Sequence, residues 1–122
     1  MEIFGEEYGF MLTVGASADI ADLCPDGDLN RIGEVLDGRV SKSIDFIASF
    51  IVAMAKGFDD ARRYAGAEVS HRPLTVDMVK ALPSDVFKEV QSAAFASFRG
   101  DTKTTVEVAP SKKKESQEKE LT

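Results

Sequence analysis

Residues 40–66 constrain this chain more than any other stretch, because they read as one uninterrupted helix with more apolar surface than a single stripe needs. Val40, Ile44, Ile47, Ile51, Met54, Phe58, Ala61 and Ala65 recur at three- and four-residue steps, which aligns their side chains along one face of an α-helix. Phe46, Phe50, Val52 and Ala53 fall off that line and widen the apolar surface. A helix of this kind has to be covered on more than one side. In a chain of 122 residues we expect part of that cover to come from another molecule, which favours binding or assembly over chemistry.

The length leaves room for one domain, since independent domains run to roughly 100–200 residues. With 43% hydrophobic and 30% charged residues, the composition suits a modest packed core and neither a disordered polymer nor a membrane protein. The most apolar run, residues 46–55, is about half the ~20 residues needed to span a bilayer, and Asp45 and Lys56 close it off. Glu2, Glu6 and Glu7 stand where a signal peptide would carry basic residues, so we expect an intracellular protein that does not bind membranes. Cys24 is the single cysteine and His71 the single histidine, and no Cys/His spacing for a metal occurs. The formal charge is −6. From Asp101 onward five lysines offset five acids, so the whole deficit lies on residues 1–100, and a body of that sign repels nucleic acid backbones.

The element reading begins with a strand over residues 8–14, β-branched and aromatic between Gly5 and Gly15, pairing with residues 2–4 as a small hairpin. Ser17 is the expected cap of a short helix that ends near Cys24-Pro25, because the residue before proline resists the α conformation. Asp28 then caps a second helix carrying Leu29, Ile32, Val35 and Leu36 up to Gly38. Ser41 or Ser43 caps the long helix, which stops at Gly66. Gly57 in its middle marks a bend or a close contact. Thr75 caps residues 76–82, and Pro83-Ser84-Asp85 opens a last helix with Val86, Phe87, Val90, Ala93, Ala94, Phe95 and Phe98 on a broad apolar face until Gly100. The expectation is a mainly α fold, about five helices behind a small N-terminal β-hairpin or strand. It fills one domain over residues 1–100, followed by an extended, disordered, mixed-charge tail over residues 101–122.

Candidate chemistry is thin. His71 lies in a polar connector without a positioned partner and reads as a solvated loop residue, and Cys24 reads as a buried small hydrophobe. Asp26-Gly27-Asp28 with Asn30 lacks the spacing of a calcium loop and reads as a turn plus cap. Asp59 and Asp60 are adjacent on a helix, where side chains point about 100° apart, and read as its solvated side. We expect no enzyme, no catalytic, cofactor-binding or metal residues, and no nucleic acid partner. Residues 75–99 can be drawn as a helix-turn-helix of a small DNA-binding regulator, but Asp85 and Glu89 sit there against Lys88 and Arg99, with Ala and Phe in place of base- and phosphate-contacting side chains.

Taken in order, Phe4-Gly-Glu-Glu-Tyr-Gly-Phe with Thr13-Val14, and Leu23-Cys-Pro-Asp-Gly-Asp-Leu-Asn30 leading into Arg31-Ile-Gly-Glu-Val-Leu36, resemble the tail assembly chaperones of long-tailed phages and prophages. Pro73-Leu-Thr-Val-Asp-Met-Val-Lys-Ala-Leu-Pro83 and Ala94-Phe-Ala-Ser-Phe98 are similar to the closing helices of the same group. The resemblance spans most of residues 1–110 and is one of pattern and order, with no catalytic signature. It implies a helical protein of the host bacterial cytoplasm, not carried in the mature virion. Such a protein forms homo-oligomers, keeps the tape measure protein soluble and helps recruit tail tube subunits. It also implies a longer product made by ribosomal frameshifting, for which Lys112-Lys113-Lys114 is the place to look for an adenine-rich run. The residues we expect in core and protein-interaction contacts are Phe46, Ile47, Phe50, Ile51, Met54 and Phe58 on the long helix and then Phe87, Phe95 and Phe98 on the last one, and spacing does not decide which of them face a partner.

Overall fold

In the computed structural model, which describes residues 1–32, 34 and 40–100, the chain opens with β1 (Glu2–Ile3) and β2 (Glu6–Glu7), antiparallel, with Glu2 opposite Glu7 and Ile3 opposite Glu6. The two-residue turn between them holds Phe4 and Gly5 at positive φ, 49° and 83°, the geometry that matches the twist of a tight hairpin. The hairpin therefore exists but lies earlier than the strand expected over residues 8–14, which is not a strand. Tyr8 and Phe10 are buried at alternate positions because this segment lies across a helix, so the period of two comes from packing and not from a ladder.

That helix is reached after α1 (Val14–Asp22). Its cap is Thr13, whose backbone is extended and whose hydroxyl accepts the Ala16 N–H at 3.0 Å, and not Ser17, which the helix places in its first turn. Starting earlier lets Ala16 and Ile20 both reach the core. α1 stops where expected: Cys24 is extended ahead of Pro25, and two short 3₁₀ turns follow, Pro25–Gly27 and Leu29–Arg31. Asp28 caps the second turn by accepting the Asn30 N–H. The helix expected from Leu29 to Leu36 begins as that turn, while Val35, Leu36 and Gly38 lie outside the described residues, as does the tail expected over residues 101–122. Buried beside Asp28, the Cys24 thiol is pushed up from its ordinary value, chiefly by desolvation, and its Sγ donates to the Ile20 carbonyl.

α2 (Val40–Tyr64) is the axis of the molecule, 25 residues and roughly 38 Å long. It ends in a Schellman motif, with Gly66 at φ 99° and the Ala67 N–H bonding back to the Arg62 carbonyl at 2.9 Å. α3 (Val76–Lys80) is capped by Thr75, and α4 (Ser84–Arg99) closes on Gly100 at φ 78°. Among the described residues there are thus four α-helices and not about five. α1, α3 and α4 all pack on α2. Their buried side chains, with Ile3, Tyr8, Phe10 and Leu74, form one continuous core.

The breadth of α2's apolar surface has its explanation here. Residues 46–48, 50, 51 and 53–55 are all buried, and the chain's own elements cover them. Each large side chain so buried contributes about 1.5–3 kcal/mol. The cover expected from a second molecule is, for this part of α2, supplied by the chain itself. Gly57 makes one of these contacts feasible: a Cβ there would stand 2.6 Å from the Met11 carbonyl oxygen and 2.9 Å from the Thr13 hydroxyl. The Met11 N–H meanwhile bonds to the Met54 carbonyl at 3.1 Å, fixing the extended segment on the helix. Gly57→Ala gains about 1 kcal/mol of helix propensity but forces a backbone displacement costing about 1–3 kcal/mol. We expect the clash to win, with a lower urea midpoint at unchanged m-value. A midpoint that rises would place the Met11–Gly57 contact outside the energetics of the fold.

Candidate protein-binding groove

The nine residues expected in core and partner contacts divide into two groups. Phe46, Ile47, Phe50, Ile51 and Met54 lie in the core of the single chain, and Phe58, Phe87, Phe95 and Phe98 are half-buried. Phe50 stacks on Phe95 with centroids 4.5 Å apart, meets Phe98 edge-on at 5.3 Å, and stacks on Phe46 at 6.2 Å. This cluster fastens α4 to α2, and such pairs contribute about 0.5–1.5 kcal/mol beyond their burial. Phe58 covers Gly9, where a Cβ would come within 2.6 Å of its ring, and the Arg62 guanidinium lies over the same ring, 5.6 Å from its centroid. Phe87 lines an open cavity.

That cavity is a groove of about 300 Å³ where α3 and α4 meet the start of α2. Val79 and Leu82 are among its apolar lining, Ile44 and Phe87 flank it, and its charged residues are Lys80 and Lys88. Ile44 keeps 38% of its surface exposed, although it stands on the apolar line of α2. Local chemistry explains the opening: Pro83 breaks the chain between α3 and α4 and sets the two helices as separate walls. Lys80 Nζ donates to Asp45 Oδ1 at 2.7 Å, tying α3 to α2 and holding the ammonium pKa above its ordinary value. Lys88 is exposed and has no ion pair among the described residues.

A second, polar cluster was missed in the sequence. Asp59 is only 6% exposed, and its Oδ2 lies 2.8 Å from His71 Nε2, so neither residue is the solvated group expected. Asp60 is the solvated one, paired with Lys56 and Arg63. The signal was available, because Asp59 follows Ile51 and Ala55 at four-residue steps and so continues a buried line. The Tyr8 ring packs on His71 at 4.4 Å, its hydroxyl donates to the Arg72 carbonyl at 2.7 Å, and Arg72 pairs with Glu6. Burial first, then the Glu6 and Asp59 carboxylates, push the Tyr8 phenol up, with Arg72 opposing. Together these bonds clamp the connector between α2 and α3 onto the hairpin and the end of α2. The Tyr8 hydroxyl is committed to a carbonyl and the His71 Nε2 to a carboxylate, an arrangement that fastens a loop and presents no activated nucleophile. No group of three or more His, Cys, Asp or Glu side chains placed to hold a metal occurs among the described residues, and none of their helices is long and apolar enough to cross a membrane.

A comparison of the chain with protein families, characterised proteins and solved structures finds no match.

Asp59 Oδ1 is buried without a hydrogen-bond partner among the described residues, so His71 is the donor that makes this carboxylate tolerable. His71→Ala is expected to cost about 1–3 kcal/mol, because it strands a buried acceptor. Asp60→Asn, at a surface pair, is expected to cost under about 1 kcal/mol. Equal losses for the two in denaturant titrations would show that the buried pair contributes nothing special.

Proposed function

We propose that this chain is a tail assembly chaperone of a long-tailed phage or prophage. In this reading it binds the tape measure protein in the host cytoplasm, keeps it soluble, helps recruit tail tube subunits, and is absent from the finished virion. It works as a homo-oligomer alongside a longer frameshifted product. The order of its sequence segments supports this reading, and so does a mainly helical body. The observation that carries it is the open apolar groove between α2, α3 and α4, where Ile44 and Phe87 stay accessible after the rest of the core has closed. Apolar grooves between helices are suited to receive the apolar face of a partner helix. At about 300 Å³ this one lies at the small end for ligand pockets and suits side-chain anchors better than a bulky cofactor.

Co-expression with the tape measure protein tests the reading. The wild-type chain is expected to hold it in the soluble fraction and to co-purify with it. Ile44→Asp places a charge on the exposed wall of the groove and is expected to lose that retention at least several-fold with its helical circular dichroism intact. Ile51→Asp, in contrast, buries a charge in the core and unfolds the domain. A tape measure protein that stays insoluble beside abundant folded wild-type chain would overturn the proposal.

A further inference from the structure

We propose that the groove selects its occupant by charge as well as by apolarity, and that it takes an amphipathic helical segment of a partner protein in which a large apolar anchor is flanked by carboxylates. This inference rests on the protein-binding role proposed above and adds the chemistry of the bound segment.

The charged side chains that line the groove are opposite in sign to the body. Residues 1–100 carry the whole net charge of −6, yet the charged side chains lining this cavity are Lys80 and Lys88, both cations. On α4 the groove face is Ser84, Phe87, Lys88 and Gln91, steps of three and four residues that share one side of the helix. Asp85 and Glu89 are each one residue further along and fall off that line. Lys80 is paired with Asp45 and also feels Asp77, while Lys88 has no ion pair among the described residues and is the cation left to meet a partner. A helix whose apolar anchor enters between Ile44 and Phe87 brings its flanking residues alongside these two ammonium groups. Carboxylates there meet opposite charge, whereas lysines would set like against like beside an apolar cavity. A second copy of this chain is a poorer occupant of this groove, because two bodies of −6 repel as they approach, and the homo-oligomer proposed above is assigned to another surface.

The test uses the full chain and two labelled synthetic helices of about 18 residues, five turns, with the same leucine face and either glutamates or lysines flanking it, read by fluorescence anisotropy. At low salt the glutamate helix is expected to bind about tenfold more tightly. The margin should shrink to about twofold at roughly 0.5 M salt, since exposed charges are screened. Lys88→Glu, at an exposed position, is expected to weaken the glutamate helix about three- to tenfold and to abolish the discrimination, with circular dichroism unchanged. Equal binding of the two helices, tighter binding of the lysine helix, or indifference of the glutamate helix to Lys88→Glu would each overturn the inference. So would a concentration-dependent dimer dissolved by Phe87→Ala, which would give the groove to a second copy. Should the chain solubilise the tape measure protein and yet fail to discriminate the helices, the charge inference falls and the chaperone reading stands. Discrimination without solubilisation leaves the groove chemistry and removes the chaperone.

Discussion

A helix that is apolar around most of its circumference cannot stand at a surface, and the architecture follows from meeting that demand for the middle of α2. α1, the extended segment ahead of it, α3 and α4 are short elements with limited cores of their own, and each finds its partner on α2. Phe50, Ile51 and Met54 are completely removed from solvent because several elements converge on them at once. The arrangement concentrates the hydrophobic stabilisation on one helix, so the peripheral elements depend on α2 more than on one another.

The close approach needed for such wrapping leaves marks in the backbone and in the polar groups. Gly57 and Gly9 are small because a main-chain segment and an aromatic ring occupy the space where their side chains would be. Asp59 is buried because the connector to α3 has to cross α2 near its end, and His71 and Tyr8 supply the bonds that hold the crossing. At the other end of the helix the wrapping is incomplete. Ile44 belongs to the apolar line of α2 but remains partly uncovered, and the groove beside it is where the covering elements part.

Much of this was legible in the chain. The long helix, its stop at Gly66, the break at Cys24-Pro25, the Thr75 cap and the end at Gly100 are each local signals of backbone chemistry, and each stands where that chemistry puts it. What was not legible depends on distant residues. The alternation of Tyr8 and Phe10 looks the same whether the segment pairs in a sheet or lies across a helix. Spacing likewise does not tell a side chain covered by the chain's own elements from one awaiting a partner, and only the packing shows that Phe46, Ile47, Phe50, Ile51 and Met54 line the core. The groove was out of reach for the same reason. Phe87 stands out in the sequence for its apolarity, but the pairing of Lys80 and Lys88 with it arises only when α3 and α4 are placed together on α2.

The claim at the centre is that the chain covers its own long helix, and native-state hydrogen exchange on the dilute protein tests it most directly. Amides of residues 46–55 in the dilute, monomeric protein are expected to exchange only through global unfolding, with free energies equal to the stability of that monomer from denaturant titration. Exchange from these residues of the monomer by a local opening cheaper than global unfolding would contradict it, because the cover would then have to come from other molecules.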